Sequence, residues 1–423
     1  PLTRVHEMNP VRRRDGPWGY GYLWWVFDRP ELGEPYQGAY SGLGAVGQHI
    51  LVMPNLDLVV AHKTRPGQDR SVSHGEFVQV LDLLVKARAG RAGAQDRPLD
   101  LLLINGHVLD GAGNPWVKQD IGILGARIAF VGNARDARVT ARDTVDLAGL
   151  VITPGFVDMH SHAEFDSPHG RAALSFLYQG ITTAVIGVDG GGQSNLRETF
   201  EEYARRGIAL NALSYVGQGA ARGAAMGAAD RPPTPAELAA MKAYVRKGME
   251  GGALGLSTGL FYSPGFFAST DEVVELNQVA AEYGGIYDTH DRDLGAAYKG
   301  IGYINSTKEG IEIGERAGTP VIFSHFNPQG RHNYGRAPEG ARLIEEARAR
   351  GVNVMAAQHP YNATQSSLSA YVIPRWAAVG GHQAMVRRFD DPAIARRLDV
   401  EIMEMLEIRG GASKIRFVDE RAE

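Results

Sequence analysis

From Val151 onward the sequence repeats one unit, in which a short apolar run is followed by a loop and then by a segment with helical periodicity. Strands that alternate with helices in this way form parallel sheets. The predicted strands are Ile152–Met159, Thr182–Val188, Leu210–Val216, Ala253–Ser257, Gly285–Thr289, Val321–Ser324 and Val352–Ala357. Seven consecutive units predict an α/β fold, a TIM-like (β/α)8 barrel with about seven of its eight strands in this chain. A doubly wound open sheet is the competing architecture.

Two helix starts within the repeat carry specific signals. Thr234-Pro-Ala-Glu237 has the pattern of a capping box with proline at the first helical position. Ser269-Thr-Asp-Glu272 has the same pattern without the proline. Each pattern predicts a helix that begins directly after its threonine or serine.

Composition limits the class of protein. The 423 residues are 44% hydrophobic and 22% charged, which is typical of globular domains. A net charge of −4 predicts no nucleic-acid partner, and no apolar run approaches the roughly 18 residues of a membrane span, so we expect no membrane partner. Because cysteine is absent, thiolate metal ligands and cysteine nucleophiles are excluded.

The chain divides into four predicted segments. Residues 89–98 are rich in alanine, glycine and charge, which is typical of a linker. Before the linker, residues 1–88 contain two strands, Gln48–Met53 and Leu58–Lys63, and one amphipathic helix. After it, we expect a small β-sandwich domain over residues 99–150 and the barrel domain over residues 151–423.

Five polar side chains stand at the ends of predicted strands. His160 and His162 lie on the same side of their strand, because side chains alternate along a strand. Asp189, His290 and His325 each end another strand of the repeat. In a barrel these strand ends converge, and imidazole with carboxylate suits zinc or a similar ion. The five residues are therefore a predicted metal site; the alternative is a set of polar loop residues that cap the strands.

At these residues the sequence resembles a known family. From about residue 101 onward it is similar to the N-acyl-D-amino-acid deacylases (D-aminoacylases) of the amidohydrolase superfamily. The landmarks are Pro154-Gly-Phe-Val-Asp-Met-His-Ser-His162, Gly180-Ile-Thr-Thr183, Gly255-Leu-Ser-Thr-Gly-Leu-Phe-Tyr262, Thr289-His-Asp-Arg-Asp293, Ser324-His325 and Pro360-Tyr361. The resemblance implies a TIM-like barrel, a small β-domain built from both chain ends, and metal-dependent hydrolysis of N-acyl-D-amino acids or related amides.

The resemblance also implies roles for particular residues. It implies one or two zinc ions, one held by His290 and His325 and a second, weaker one at His160 and His162. Tyr262 and Arg292 match family positions near the substrate, where they would hold its carboxylate or oxyanion. The alternatives are a tyrosine packed under a loop and an arginine ion-paired to a neighbouring aspartate. Further candidates for contact with the substrate are Asn327, His359 and Tyr361.

The chain departs from the family pattern at three places. Asp189 stands where the family usually has a cysteine, and a carboxylate is a harder ligand, so zinc affinity and the number of ions stay open. Asn327 stands where the family often has a lysine, so the identity of the substrate stays open. The family's general base is an aspartate at the end of the eighth strand, which we expect to lie beyond Glu423. We therefore expect a chain that binds metal yet is poorly active.

The front of the chain carries a second resemblance. Residues 17–86 are similar to the C-terminal part of β-lactamase-like serine hydrolases. The landmarks are Gly19-Tyr-Gly-Tyr-Leu-Trp-Trp25, Gly44-Ala-Val-Gly-Gln48 and Pro54-Asn-Leu-Asp-Leu-Val-Val60. The resemblance implies an α+β fragment of that fold, but the Ser-x-x-Lys nucleophile of the family is absent from this segment. Ser41 is expected to lie in a loop, and the whole chain to be a piece of a fused polypeptide.

The function predicted from these observations is metal-dependent hydrolysis of a small-molecule amide. Three alternatives stay open: a serine-hydrolase activity located upstream of Pro1, a metal-dependent deaminase with an overlapping ligand set, and a remnant without enzymatic activity. A dihydropyrimidinase-like site is discounted, because the segment 252–262 lacks the lysine that would bridge two metals. The oligomeric state is open, and the expected location is the cytoplasm, with the periplasm as the alternative.

Overall fold

The computed structural model describes residues 11–12, 18–21, 24–27, 33, 36–44, 48–56, 58–62, 74–92, 98–297, 299–359, 361 and 363–417. Two compact units make up the chain, residues 1–154 and 155–423. The division into four segments that the sequence predicts stays a prediction, because the structure divides only into these two compact units. Of the expected linker, residues 89–92 belong to a helix and residues 93–97 lie outside the described part.

The first unit begins with a six-stranded antiparallel sheet whose strands follow each other in chain order. They are β1 (Val11–Arg12), β2 (Trp18–Gly21), β3 (Trp24–Phe27), β4 (Tyr40–Gly44), β5 (Gln48–Met53) and β6 (Leu58–His62). The predicted pairing of β5 with β6 is confirmed, with Met53 opposite Leu58 across the turn. Ser41, expected in a loop, lies instead in β4 and is fully buried, because β4 is an inner strand of the sheet.

One helix, α1 (His74–Ala92), packs on this sheet. Phe77, Leu81 and Val85 recur at every fourth position and are buried against strand residues such as Leu51. Since a helix turns once in 3.6 residues, this spacing keeps one stripe of the helix on the sheet. The helix and sheet form the α+β arrangement expected for this segment, while its likeness to serine hydrolases stays a prediction.

A second, five-stranded sheet completes the first unit. Its strands are β7 (Leu99–Val108), β8 (Val117–Leu124), β9 (Arg127–Gly132), β10 (Ala141–Asp146) and β11 (Val151–Ile152). The central strand β7 pairs antiparallel with β8 and parallel with both β10 and β11, and β9 continues from β8. A small cluster around Leu99, Leu102 and Ala134 forms its core.

Every strand pair in the described part of the second unit is parallel. Its strands are β12 (Phe156–Asp158), β13 (Ile181–Ile186), β14 (Asn211–Ser214), β15 (Val216–Gly217), β16 (Gly255–Gly259), β17 (Ile286–His290), β18 (Val321–Phe323) and β19 (Val354–Ala356). They form the sheets β12-β13-β14 and β15-β16-β17-β18-β19. Only Tyr215 separates β14 from β15, so one stretch of chain pairs with β13 through its first part and with β16 through its second.

Helices connect these strands. They are α2 (Pro168–Ala172), α3 (Leu174–Leu177), α4 (Leu196–Arg206), α5 (Gln218–Met226), α6 (Pro235–Glu250), α7 (Thr270–Ala281), α8 (Tyr303–Ala317), α9 (Ala337–Ala349), α10 (Leu368–Val372), α11 (His382–Asp390) and α12 (Pro392–Ile408). Buried side chains of α7 and α8, such as Val273 and Ile313, pack against Tyr287 and Phe323 of the strands. None of the described helices is both long and apolar enough to cross a membrane.

The predicted succession of parallel strands is confirmed, with differences in detail. The strand expected over Ile152–Met159 is two strands, β11 in the first unit and β12 in the second, with Pro154 between them. Proline has no backbone N–H to donate to a sheet, which explains the break. Within the described residues β12 and β19 are sheet edges, and no strand closes a barrel between them.

The two predicted helix starts differ in how completely they form. At α6 Thr234 accepts a hydrogen bond from the Glu237 amide, and the Glu237 side chain caps the Thr234 amide in return. At α7 Ser269 accepts from the Glu272 amide, but the Glu272 carboxylate is buried and bonds Arg222 and Gln218 instead. Only the first is therefore a full capping box, because tertiary packing takes the second carboxylate.

Candidate metal centre

The five predicted ligands meet at one edge of the strands in the second unit. His160 and His162 follow β12, Asp189 follows β13, His290 ends β17 and His325 follows β18. Because the carboxyl ends of parallel strands share an edge, residues far apart in sequence come together there. The structure thus places all five as the sequence pattern predicts.

The ligand atoms form two groups that share Asp189. One group is His160, His162 and Asp189, the other is Asp189, His290 and His325, and within each the ligand atoms lie within 4.8 Å of one another. Asp189 Oδ1 lies 3.4 Å from His160 Nε2 and 3.4 Å from His290 Nδ1, and Oδ2 lies 3.5 Å from His162 Nε2. One carboxylate therefore faces three imidazoles.

These separations match the needs of a bound ion. Two ligands that each bind zinc tetrahedrally at about 2.0–2.1 Å stand about 3.3 Å apart. No hydrogen bond joins Asp189 Oδ1 to His160 Nε2, and both atoms are buried without a hydrogen-bond partner. Buried polar atoms without partners are rare in native proteins. The donor set therefore fits a divalent ion such as zinc.

The backbone at two of the ligands is unusual. Asp189 has φ +55° and His325 has φ +28°. Residues other than glycine seldom adopt these left-handed backbone angles. Strand β16 passes so close to Asp189 that a Cβ at Gly259 would lie 2.2 Å from the Asp189 carbonyl oxygen. Glycine is thus required at position 259. Strained backbone of this kind concentrates at functional sites.

Electrostatics at Asp189 and His325 favour the protonation states that bind metal. Burial raises the pKa of Asp189, but His290, His160 and His162 outweigh it, so the net pKa lies below the ordinary aspartate value. Burial, helped by repulsion from His290 and His160, lowers the pKa of His325 to about 3. At neutral pH Asp189 is therefore an anion and His325 a neutral imidazole, which are the forms that coordinate a cation.

Tyr262 lies beside the centre. Its ring stands 4.6 Å from that of His290, and its hydroxyl accepts a hydrogen bond from Ser366 at 3.4 Å. Burial, together with the charge of Asp189, raises the pKa of Tyr262 above its ordinary value. The phenol thus stays protonated and keeps an O–H to donate.

Arg292 contacts groups other than the five ligands. Its guanidinium donates to the Glu309 carboxylate at 2.8 Å and to the carbonyl oxygens of Phe266 and Ala268. The ion pair considered as the alternative is therefore present, with a glutamate in place of the expected aspartate. The assignment of Arg292 to the substrate stays a prediction that these contacts do not favour.

The remaining predicted substrate contacts form one small cluster. Asn327 Nδ2 lies 3.1 Å from His359 Nε2, and the His359 ring stacks on that of Tyr361 at 4.3 Å. His359 Nδ1 is also 2.6 Å from the Tyr361 carbonyl oxygen. Pro360, the first residue of a predicted landmark, lies outside the described residues. Asn327 lies two residues after His325, so this cluster stands close in the chain to one of the candidate ligands.

Two arginines that the sequence pattern did not single out lie near Tyr262. Arg375 stands over the Phe261 ring at 4.9 Å, and Arg409 stands over the Tyr371 ring at 4.3 Å. Burial lowers the pKa of Arg375 to about 10. Neither arginine has a carboxylate within 4.0 Å in the described part of the chain. No local motif signals these residues, because they lie in and after helical segments far along the chain.

A cavity of about 300 Å³ lies beside His162. Glycines of the loop after β13 line it together with Ser161, Ile186, Leu196 and Tyr203. Polar and apolar groups thus meet next to the most exposed ligand.

The chain matches no family model, but it is similar to known proteins. D-aminoacylase of Alcaligenes xylosoxydans xylosoxydans is 35% identical over 299 residues, which are 65% of this chain and 60% of that protein. A crystal structure of a D-aminoacylase, described as defining a subset of amidohydrolases, is 32% identical with a TM-score of 0.57, over 62% of this chain and 59% of that one. The chain is thus similar to D-aminoacylases in sequence and in fold over about 60% of their length.

A second solved relative extends the likeness. N-acyl-D-glutamate deacylase from Bordetella bronchiseptica, solved with zinc and a phosphonate mimic of the tetrahedral intermediate, is 25% identical with a TM-score of 0.59, over 74% of each chain. A shorter match is to adenine deaminase 2 of Rhizobium etli, 34% identical over 27% of this chain and 19% of that protein. The chain spans about 60% of the length of the curated D-aminoacylase. The expected α/β fold is confirmed by the likeness to these solved amidohydrolases, although the described strands do not close a barrel.

Proposed function

We propose that the centre binds one or two zinc ions in an enzyme that hydrolyses the amide bond of N-acyl-D-amino acids or related small-molecule amides. The observation that carries this proposal is the pair of ligand groups that share Asp189 at the strand ends of a chain similar to D-aminoacylases. The substrate class is inferred from the relatives that carry this fold. Localisation in the cytoplasm or the periplasm stays open.

The ligand groups define where zinc would sit. His290, His325 and Asp189 would hold one ion, and Asp189, His160 and His162 would hold the other. Zinc in such a site polarises a carbonyl group and lowers the pKa of its water to about 7. The protein's part is to keep the His325 imidazole neutral and the Asp189 carboxylate charged, as the pKa directions above provide.

Tyr262 is suited to act on the amide oxygen. Its protonated hydroxyl lies on a ring in contact with His290, and Ser366 donates a hydrogen bond to that hydroxyl. When negative charge develops on the amide oxygen, a donor held in place stabilises it without reorganisation. We assign this role to the Tyr262 hydroxyl.

Arg375 and Arg409 are suited to bind the carboxylate of an acyl amino acid. Both lie close to Phe261, the neighbour of Tyr262, and neither is neutralised by a carboxylate within 4.0 Å among the described residues. Arg292 by contrast is already paired with Glu309. A guanidinium binds a carboxylate through two parallel hydrogen bonds. The two arginines would thus supply the positive charge that Asn327 lacks.

The test begins with metal. Zinc should be measured per chain after dialysis of the folded protein, followed by release of amine from an N-acetyl-D-amino acid and from its L enantiomer. We expect at least one retained zinc, and any hydrolysis to prefer the D form. A folded chain that retains no zinc contradicts the metal site, whereas retained zinc with hydrolysis of only the L form contradicts the substrate class.

Deamination is the second candidate, because one partial match is to an adenine deaminase. Release of ammonia from adenine by the zinc-loaded chain would support it. Because that match covers 27% of this chain, against 65% for D-aminoacylase, amide hydrolysis is the better supported function.

A further inference from the structure

Asp288 is a buried carboxylate that the mechanism above does not use. It lies in β17 two residues before His290, so the two side chains leave the strand on the same face. Its side chain is 0% exposed. A carboxylate withdrawn from water needs polar partners, because burial disfavours its charged form. The identity of those partners shows what the residue does.

Two side chains contact this carboxylate. Ser324 donates its hydroxyl to Asp288 Oδ1 at 3.1 Å. Asp288 Oδ2 lies 3.4 Å from His160 Nδ1, across the unit from β12. Ser324 precedes the candidate ligand His325, and His160 is itself a candidate ligand. Asp288 therefore links the ends of two strands that carry the centre.

His160 is held between two carboxylates. Its Nδ1 faces Asp288, and its Nε2 faces Asp189 at 3.4 Å. Among the ligand histidines of the described structure, only His160 has a carboxylate at each ring nitrogen. Histidines that bind metal commonly donate their second N–H to a carboxylate, which fixes the tautomer and the orientation of the ring.

We propose that Asp288 is the positioning residue of His160. It keeps the proton on Nδ1 of the His160 ring, and the lone pair of His160 Nε2 is thereby directed at the metal position beside Asp189. The role of Asp288 in metal binding rests on the metal centre proposed above. The tautomer of the His160 ring, however, is a property of the metal-free chain. A function is thus assigned to an aspartate that lies two positions before a candidate ligand in the same strand.

The first test is the protonation of His160 in the metal-free chain. Nitrogen-15 NMR of labelled histidine at pH 8 distinguishes a proton on Nδ1 from one on Nε2, and the His160 signal is identified by its loss in His160→Gln. We expect Nδ1 to be protonated in the parent chain and a mixture of tautomers in Asp288→Ala. Ser324→Ala removes the other partner of Asp288 and should leave the His160 signal unchanged.

The second test is zinc affinity. Loss of such a partner typically weakens metal binding by about 10–100-fold. We expect a loss of this size in Asp288→Ala and Asp288→Asn at the group containing His160, while the group of His290 and His325 binds as before. Asp288→Asn keeps the size of the side chain, so it remains informative if Asp288→Ala fails to fold.

Three results would overturn the inference: an unprotonated Nδ1 in the parent chain, an unchanged ring in Asp288→Ala, or an equal loss of zinc in Ser324→Ala. Failure of the proposed function has a different signature. In that case the parent chain binds no zinc, while the NMR signal of His160 still responds to Asp288.

Discussion

The two ligand groups that meet at Asp189 differ in how far they are closed off from solvent. The His290 side chain is 7% exposed, whereas the His162 side chain is 70% exposed. His290 belongs to β17, an inner strand with neighbours on both sides, while His162 follows β12, which is a sheet edge in the described structure.

This difference in exposure predicts how tightly each group binds zinc. Packing on both sides already fixes His290, so little conformational entropy remains to be lost when an ion arrives. His162 is largely exposed to solvent, so an arriving ion must order its side chain. We therefore expect the group of His290 and His325 to fill first and to hold its ion more tightly.

The largest effect is expected at the residue that the two groups share. Asp189→Asn keeps a side chain that tolerates the left-handed backbone but removes the charge. We expect zinc affinity to fall by more than about 100-fold at both groups, since loss of a ligand exceeds the effect of losing its partner. Zinc titration of the metal-free chain measures this.

Asp189→Cys is the matched rescue variant, because a thiolate is also a zinc ligand. It should recover binding at both groups. If Asp189→Asn weakens only one group, the carboxylate is not shared and the comparison fails.

A smaller effect, confined to one group, is expected from the histidines. His325→Asn should remove the tight ion, with a loss of more than about 100-fold, and leave a weakly held one. His162→Asn should leave the tight ion in place. Zinc per chain after dialysis separates the two variants, with His359→Asn as the control outside both groups. Equal zinc contents in His325→Asn and His162→Asn would show that burial does not rank the groups.

The last effect concerns stability without metal and leaves the ranking of the two ligand groups unchanged. Burial raises the pKa of Asp291, the neighbour of His290, to about 6. A carboxyl with a raised pKa in the folded state destabilises the fold above that pKa, and the penalty disappears as the pH falls below its unfolded pKa near 4. Asp291→Asn should therefore be more stable than the parent at pH 8, by up to about 3 kcal/mol, and equal to it near pH 4.

Urea unfolding of the metal-free chain at the two pH values measures this difference. Asp271→Asn is the control, because its side chain is exposed. An advantage of Asp291→Asn that is the same at both pH values would show that the buried charge is not its cause.

Much of the centre could be predicted from the sequence. Alternation along a strand places His160 and His162 on one face, and the repeat of strand and helix brings Asp189, His290 and His325 to the same edge. The same alternation would also have revealed Asp288, two positions before His290. These predictions depend only on local periodicity, which the backbone imposes wherever a strand forms.

Other features depended on tertiary packing. The carboxylate of Glu272 was expected to cap its own helix but pairs with buried Arg222, because a buried guanidinium requires a charged partner more than an exposed helix start does. Arg292 was expected at the substrate but lies against Glu309, which is 17 residues farther along the chain. Which partner a long side chain reaches depends on contacts between elements.

The sequence by itself determined the parallel-strand architecture, the five candidate ligands and the likeness to D-aminoacylases, because each follows from local pattern and residue type. Only the tertiary structure decided that Asp189 is shared by two groups, that His162 is exposed while His290 is buried, and that Arg375 and Arg409 lie beside Tyr262 without a carboxylate partner in the described residues. Distances and burial are set by how strands and helices pack, and packing joins residues whose separation in the chain carries no signal.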